Sequence, residues 1–284
     1  MAGRIDLDAV AAVVGGRAPD PVPAPQMPGP AQPPRMRAGR RRRVVLPPVL
    51  VLGSGGGSGA TTTAFGVASA AATSPEPVHS VAVDATVAGG DLAGRATDAP
   101  LAGGLQSWLA SRHPHRESSV AACSTSTTAG VRVLSRGPDP LPRRETLASA
   151  HRYLERAGML AVYDAGAPVW NPGAGLILAD PRVGLAITVA ARADAINRLR
   201  AALSWLDTHA GEFVIGEAVI VVTAQTPRTG SAETDHVRTF LGPWVRAVVA
   251  VPFDAHLAAG TQMHWEQLSA ATRDAYRQVL GEIR

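Results

Sequence analysis

The sequence contains no lysine, and all 27 of its basic residues are arginine. Reactions that need a lysine amine, such as Schiff-base formation, are therefore excluded, and so is the usual lysine of a phosphate-binding loop. Arginine does not replace lysine freely, because its planar guanidinium is not a compact point charge. The single cysteine, Cys123, excludes an intrachain disulfide framework and cysteine-rich zinc modules.

Long apolar runs are also missing. No stretch approaches the roughly 18 apolar residues that are typical of a membrane-spanning helix. Asp6 and Asp8 interrupt a short apolar patch near the N-terminus, which does not fit a secretory signal. We therefore expect a soluble, cytoplasmic protein. With 284 residues, 46% of them hydrophobic, it has ample material for a buried core.

Charge divides the sequence into two parts. Residues 1–43 contain eight arginines and three aspartates, whereas residues 44–284 contain 19 arginines and 20 acidic residues. The first part also contains APDPVPAPQMPGPAQPP at 18–34, which favours an extended, disordered linker. We predict a disordered Pro-rich and Arg-rich arm over 1–43 and a nearly neutral folded domain over 44–284.

The arm ends in RMRAGRRRR, a cluster of six arginines over Arg35–Arg43. Such a cluster attracts polyanions, so nonspecific contact with DNA or with an anionic membrane surface is one interpretation. The other is a solvated flank that keeps the chain soluble. No aromatic residue is interleaved with the arginines, so base stacking is not supported.

From Val49 onward, short β-branched runs alternate with alanine-rich stretches. The predicted strands are 49–53, 81–84, 131–135, 160–164, 185–190, 218–223 and 247–251, and the predicted helices are 61–72, 104–111, 143–157, 192–208, 232–241 and 264–283. Strands that are apolar on both faces and are separated by helices indicate a mostly parallel sheet covered on both sides. The pattern predicts a three-layer α/β sandwich, in which ligands bind beyond the carboxyl ends of the strands.

A glycine-rich segment, GSGGGSGATTT at 53–63, separates the first predicted strand from the first predicted helix. Such a turn lets backbone N–H groups approach an anion closely, and the helix N-terminus adds a partial positive charge. A flexible linker, or a tight turn that binds nothing, is the alternative interpretation. The position directly after a buried strand favours a phosphate-binding loop.

This segment resembles the phosphate loop of the MinD/ParA branch of P-loop ATPases, which includes the CpaE-like pilus and septum-site proteins of actinobacteria. The branch has the pattern K-G-G-x-G-K-T-T, and some CpaE-like members carry Gly-Ala-Ser/Thr in place of Gly-Lys-Thr. Aligning the threonines places Gly55 at the first, signature lysine and Ala60 at the phosphate lysine. The resemblance implies a phosphate cradle of eight residues. They are Gly55, Gly56, Gly57, Ser58, Gly59, Ala60, Thr61 and Thr62.

The resemblance continues in two acidic segments. VAVDATVAGGDLAGR at 81–95 is similar to the family's second-strand D-x-D motif, with Asp84 as the first acid and Thr86 in place of the second, which arranges the attacking water. LAVYDAGAP at 160–168 is similar to the Walker B strand, with Asp164 holding the metal through water. The resemblance thus implies that Thr61, Asp84 and Asp164 form the metal site.

Two further segments match the family in order. AITVAARADAINRLRAALSWL at 186–206 is similar to its fifth-strand segment and the helix after it, and VPFDAHLAAG at 251–260 is similar to its loop near the nucleotide base. The resemblance therefore covers nearly all of 44–284.

The departures from the family pattern predict a degraded ATP site. The chain lacks both loop lysines and the water-orienting acid, and no arginine lies within the loop; Arg95 and Arg192 are the candidates to reach in from elsewhere. Phosphoryl transfer depends almost wholly on such charges, so we assign no catalytic residue. We expect weak binding of ATP or ADP with Mg²⁺ by a pseudo-ATPase.

By resemblance, the expected role is non-catalytic or weakly nucleotide-binding organisation of a septum, pilus, secretion or conjugation machine, with protein partners in a membrane-associated or septal assembly. Two alternatives stay open. One is a slow ATPase that forms a homodimer around ATP–Mg²⁺, and the other is a ParA-like DNA-binding partition protein that uses the arm.

The C-terminal segment has two interpretations. MinD proteins hold membranes through a C-terminal amphipathic helix, which would place this protein peripherally at a membrane. Here an apolar stripe at helical spacing lacks the basic polar face of a membrane helix, which favours packing against the sheet. The stripe consists of Trp265, Leu268, Ala275, Val279 and Ile283.

Overall fold

The computed structural model of the chain describes residues 46–97, 102–142 and 145–283. The predicted arm over 1–43, including the cluster Arg35–Arg43, lies outside these residues. Within the described ranges, no helix is both long enough and apolar enough to cross a membrane.

Eight strands form one sheet at the centre of the domain. They are β1 (Val49–Gly53), β2 (Ser80–Asp84), β3 (Thr125–Ser126), β4 (Arg132–Leu134), β5 (Leu160–Asp164), β6 (Gly184–Ala190), β7 (Val219–Thr223) and β8 (Ala247–Val251). Their order is β3-β4-β2-β5-β1-β6-β7-β8, and neighbours are parallel except for β3, which is antiparallel to β4. Because parallel strands need crossover connections, helices occur between them.

The helices of the described residues follow the strands in sequence. They are α1 (Ala60–Ala72), α2 (Leu92–Ala96), α3 (Gly104–Ala110), α4 (Glu117–Cys123), α5 (Leu147–Arg156), α6 (Pro172–Leu178), α7 (Ala193–Ala210), α8 (Glu212–Gly216), α9 (Ser231–Leu241), α10 (Ala255–Ala258) and α11 (Ala270–Glu282).

Both faces of the sheet are buried, as β1 illustrates. Leu50 and Leu52 belong to one apolar cluster with residues of α5 and α7, whereas Val49 and Val51 belong to a second cluster with residues of α1 and α11. Side chains alternate across a strand, so the two clusters lie on opposite faces of the sheet. This arrangement confirms the predicted three-layer sandwich with a mostly parallel sheet.

The predicted strands agree with the structure to within two residues at each end, but several short elements were not predicted. The strand β3 and the helices α2, α4, α6, α8 and α10 have seven residues or fewer, which makes a hydrophobic period hard to recognise. The helix α3 is equally short and was predicted over 104–111. The helix predicted from residue 143 begins at Leu147 instead, because Thr146 caps it through the N–H of Ser149.

The C-terminal helix is also shorter than predicted. Trp265–Gln267 forms a 3₁₀ turn, and the α-helix begins only at Ala270, after Ser269 accepts a hydrogen bond from the N–H of Thr272. All five residues of the predicted apolar stripe are buried. The predicted packing of this stripe in the apolar core is therefore confirmed. The ring of Tyr276 in α11 lies directly against Gly66 of α1.

Candidate functional site

The glycine loop connects the end of β1 to the start of α1 at the carboxyl edge of the sheet. Gly59 is the N-cap of α1 with φ of +86°, a conformation in which a Cβ atom is strained. A Cβ atom there would also lie 3.1 Å from Cγ2 of Thr223. No side chain caps α1, so the N–H groups of its first turn are available to an anion.

Hydrogen bonds attach the glycine loop to residues at the ends of the neighbouring strands. The N–H of Gly53 donates to the carbonyl of Gly166 at 2.6 Å, and the N–H of Ser54 donates to the carbonyl of Thr188 at 2.9 Å. Ser58 is buried, and its hydroxyl lies 2.9 Å from the hydroxyl of Thr188. These bonds attach the start of the glycine segment and Ser58 to the edge of the sheet, which does not fit a flexible linker.

A side-chain hydrogen bond joins the first turn of α1 to the end of β5. Thr61 Oγ1 donates to Oδ2 of Asp164 at 2.7 Å, and the N–H of Gly166 donates to Oδ1 at 3.0 Å. Asp164 is fully buried. Burial raises the pKa of its carboxyl to about 6, although both hydrogen bonds act to lower it. Hydroxyl and carboxylate oxygens are the ligands that Mg²⁺ prefers.

Asp84 ends β2 and is the register partner of Asp164 in β5. The two acids are thus on adjacent strands, with backbones about 5 Å apart. Oδ1 of Asp84 accepts from the N–H of Thr86 at 3.1 Å and from its hydroxyl at 2.5 Å, and Oδ2 accepts from the N–H of Gly90 at 2.7 Å. Thr86, at the position of the family's second acid, therefore acts as a hydrogen-bond donor to the first.

A cleft of about 370 Å³ lies over the loop, a volume in the range of small-molecule sites. All eight residues of the predicted cradle line it, from Gly55 to Thr62. The other lining residues are Asp91, Arg95, Gly166, Ala167, Thr223, Ala224, Gln225, Val251, Pro252, Phe253, Asp254, Leu257, Ala258 and Tyr276. Asp84 and Asp164 do not line the cleft; they are buried in the layer next to it, and Asp164 contacts it through Thr61.

The charged side chains around the cleft are mostly acidic. Asp91 and Asp254 line it, and Arg95 is the one cationic side chain among the described lining residues. The guanidinium of Arg95 is engaged, because it donates to the carbonyls of Thr261 at 2.7 Å and Leu257 at 3.1 Å. Asp84 and Asp164 are buried nearby and add further negative charge. The lining of the cleft therefore has little positive charge that could attract a phosphate.

The two arginines considered from the sequence are placed differently. Arg95 lines the cleft, whereas Arg192 is exposed and donates to Asp194 at 2.9 Å and 3.1 Å. A third arginine, Arg198 in α7, was missed. A Cβ atom on Gly55 would lie 2.8 Å from its Nε. No motif marks Arg198, since only the packing of α7 beside the loop brings it there.

The segment after β8 forms another wall of the cleft, where the resemblance places the nucleotide base. Asp254 accepts from the N–H groups of His256 and Ser269, each at 2.9 Å, and so fixes this segment. Gln225 and Tyr276 also line the cleft and were not predicted. Gln225 could have been found from the sequence, because it is the second residue after the predicted strand 218–223.

One further polar residue connects the loops of the two acids. The side-chain N–H₂ of Asn171 donates to the carbonyls of Ala85 at 3.0 Å and Ala165 at 3.2 Å. Asn171 is buried, and the loops that follow β2 and β5 are therefore linked to each other.

Over the described ranges, no group of three or more His, Cys, Asp or Glu side chains is arranged to hold a metal ion. A divalent cation at Thr61 would need phosphate or water oxygens to complete its coordination. Mg²⁺ is commonly bound in this way, through one or two protein oxygens, waters and substrate phosphates.

Solved structures of ParA and MinD ATPases have the same fold as this chain. A ParA family ATPase from Chlorobium tepidum TLS superposes with a TM-score of 0.59 at 14% identity, covering 83% of this chain and 91% of its own. The ATP complex of Cyanothece McdA gives 0.58 at 14% identity, covering 84% and 96%. The septum site-determining protein MinD from Pyrococcus horikoshii OT3, complexed with Mg-ADP, gives 0.57 at 13% identity, covering 84% and 96%.

The sequence itself matches no protein-family model and no curated protein. At identities of 13–14% the superpositions establish the fold. The chain is thus a MinD/ParA-like P-loop fold, as the motifs at the ends of its strands predicted.

Proposed function

We propose that this chain is a MinD/ParA-like P-loop protein with a degraded ATP site, which binds nucleotide weakly and organises a larger assembly without fast ATP turnover. One observation carries the proposal. The cradle and its Thr61–Asp164 hydrogen bond are intact, while the positions of the two family lysines hold Gly55 and Ala60.

The groups of this chain fit a phosphate bound together with Mg²⁺. The uncapped N–H groups at the start of α1 would bind phosphate oxygens. Thr61 would place its hydroxyl on the metal, and Asp84 and Asp164 would hold the metal's water ligands. When bound, Mg²⁺ would supply positive charge that offsets the negative charge of the phosphate.

The missing lysines set the expected strength of binding. A charge-assisted hydrogen bond from a lysine to a phosphate contributes about 1.5–3 kcal/mol, or roughly ten- to over a hundredfold in affinity. The position of the water-orienting acid holds Thr86, whose hydroxyl is already bonded to Asp84. We therefore infer weak affinity and no fast hydrolysis.

The charge of the cleft makes nucleotide binding dependent on the metal. A triphosphate without metal would lie near four carboxylates. Arg95 in the wall would add one positive charge, but its guanidinium is already bonded to backbone carbonyls. The carboxylates are those of Asp91 and Asp254, which line the cleft, and of the buried Asp84 and Asp164. Coulomb repulsion between carboxylates and phosphates disfavours that complex. A divalent cation between them turns the repulsion into attraction.

The cellular role in this proposal follows the neighbours of the fold. One superposed structure is named as a septum site-determining protein and another as a ParA family ATPase. We place this chain in the CpaE-like branch, since its Gly-Ala-Thr at 59–61 matches the altered loop of those proteins. Its partners would be proteins of a septal, pilus, secretion or conjugation machine, and a second copy of the chain.

Calorimetric titration of the full chain tests the nucleotide site. ATP, ADP and GTP are each titrated with Mg²⁺ and again in EDTA, and steady-state phosphate release is measured beside the Asp164→Asn variant. We expect saturable, weak binding that EDTA abolishes, and no turnover above the variant. Absence of binding by all three nucleotides would overturn the proposal.

A slow ATPase is the second candidate function, because one guanidinium, that of Arg198, contacts the loop at Gly55. Mg²⁺-dependent turnover that Asp164→Asn abolishes would establish this candidate in place of the first.

A further inference from the structure

The side chain of Arg198 occupies the space in which a side chain at position 55 would begin. A Cβ atom built on Gly55 would lie 2.8 Å from Nε, 3.4 Å from Cδ and 3.8 Å from Cζ of Arg198. These distances are shorter than, or at the limit of, van der Waals contact. A lysine at position 55 and Arg198 in its present position therefore exclude each other.

We propose that Arg198 supplies the cation of the glycine loop, replacing from α7 the lysine that position 55 lacks, and that its ligand is the phosphate chain of a nucleotide. The proposal rests on the proposed function, since it needs an anion in the cradle. It adds the residue that recognises that anion and the part of the nucleotide that is recognised.

The guanidinium of Arg198 is free to bind an anion. Its Nη2 donates to Oδ2 of Asp194 at 2.9 Å, while Nε and Nη1 donate to no acceptor in the described part of the chain. The side chain is 46% exposed and that of Asp194 is 55% exposed. Exposed ion pairs are weak, because water screens them, so this pair can open when a phosphate competes for the guanidinium.

The charge beside the loop is positive. Asp194 accepts hydrogen bonds from both Arg192 and Arg198, so a single carboxylate serves two guanidinium groups. One positive charge is therefore left over at the start of α7, next to Gly55. This local excess contrasts with the acidic wall of the cleft, and phosphate would be drawn to the side of the loop where Arg198 lies.

Glycine at position 55 is what allows the contact. With no Cβ atom, the backbone of Gly55 admits Nε and Cδ of Arg198. Gly55 itself lines the cleft. Arg198 is not itself among the described lining residues of the cleft; it lies against the loop at Gly55. When its bond to Asp194 opens, its planar fork can make two parallel hydrogen bonds to the oxygens of a phosphate at that end of the cradle.

Titration of Mg-ATP and of adenosine into full-length variants tests the proposal. Arg198→Gln is compared with Arg200→Gln, a matched control on α7 whose exposed side chain is neither paired with Asp194 nor among the atoms nearest to Gly55. We expect Arg198→Gln to weaken Mg-ATP binding by about ten- to a hundredfold and Arg200→Gln by less than about threefold. Adenosine, which has no phosphate, should bind all three proteins equally.

A double substitution tests whether a lysine at position 55 can take over the role of the Arg198 guanidinium. Gly55→Lys combined with Arg198→Gln should recover Mg-ATP affinity to within about threefold of the unaltered chain. If the double variant binds Mg-ATP no better than Arg198→Gln, the proposal that Arg198 replaces a lysine at position 55 is overturned.

The outcomes separate the two proposals. If the unaltered chain binds Mg-ATP and Arg198→Gln binds it equally well, the role of Arg198 is overturned and the proposed function stands. Equal losses in Arg200→Gln and Arg198→Gln, or a parallel loss of adenosine binding, would likewise overturn it. If the unaltered chain binds no nucleotide, both proposals fail together.

Discussion

The hydroxyl of Thr61 donates a 2.7 Å hydrogen bond to the buried carboxylate of Asp164, which joins the first turn of α1 to the end of β5. Among the described residues, the carboxylate of Asp164 accepts this bond and one from the N–H of Gly166 at 3.0 Å. The pair holds two oxygen atoms of suitable type for Mg²⁺ at the edge of the cleft. Its chemistry leads to the first two predictions.

Replacing Thr61 by valine should destabilise the protein. Valine has nearly the same shape as threonine, but it has no hydroxyl to donate to the buried carboxylate of Asp164. The expected loss is about 1–3 kcal/mol in the free energy of unfolding, measured by urea denaturation near pH 7.5 in EDTA. Thr61→Ser keeps the hydroxyl and should lose less than about 1 kcal/mol. A valine variant that is as stable as the serine variant or more stable would contradict the contribution of the hydroxyl's hydrogen bond.

Asp164→Asn should stabilise the metal-free protein at neutral pH and not at pH 4. The pKa of Asp164 is raised to about 6 in the fold, above its value of about 3.9 in an unfolded chain. The stability that this carboxyl contributes when protonated is therefore full below about pH 4 and is lost as pH rises towards 6.

Asparagine does not titrate, so the variant should gain up to about 3 kcal/mol over the unaltered chain at pH 7–8. The hydroxyl of Thr61 can turn to accept from the new amide, which keeps the local hydrogen bonding. Urea denaturation in EDTA at pH 4, 6 and 8 measures the difference, and the pH 4 series is the internal control. A difference that does not change with pH would contradict the raised pKa.

Ala60→Lys should restore phosphate affinity. Ala60 is the first residue of α1 and lines the cleft, so a lysine there can extend its amine toward a bound phosphate. Mg-ATP binding should tighten by roughly ten- to a hundredfold in calorimetric titration. Ala60→Met has similar length without the charge and should change affinity by less than about threefold; a gain for methionine as large as for lysine would reject the electrostatic explanation.

Gly66→Ala should disrupt the packing of α1 on α11. A Cβ atom at Gly66 would lie 2.4–2.6 Å from three ring carbons of the fully buried Tyr276. Such overpacking typically costs about 1–3 kcal/mol, measurable as a lower midpoint in urea. Gly281→Ala in α11 is the matched control, since a Cβ atom there meets nothing within 4 Å. It should gain about 0.5–1 kcal/mol. Loss of stability in both variants would mean that the Tyr276 contact is not the cause.

The sequence by itself determined the layers of the fold and the place of the site. Apolar runs of five to seven residues, such as Val49–Gly53 and Gly184–Ala190, predict buried strands from the sequence alone. A strand that is buried on both faces contains almost no polar residue. The glycine loop follows one such strand directly and Asp164 ends another, so their common position at the carboxyl edge could be predicted from the order of elements alone.

Tertiary structure alone decided which side chains from other segments meet the loop. Arg198 lies 143 positions after Gly55 in the numbering of the chain, and no local pattern relates them. They touch because β6 pairs with β1 and α7, which follows β6, packs beside the loop. Arg95 was available from the sequence as a cation, but only the structure bonds it to the carbonyls of Leu257 and Thr261.

The physical reason for this division is the range of the forces involved. Patterns of apolar side chains and the backbone freedom of glycine depend on residues that are close in sequence. They can therefore be recognised in short stretches of the sequence. A charge acts on whatever the folded chain brings within a few ångströms of it. Its partner is fixed only after strand order and helix packing have been set.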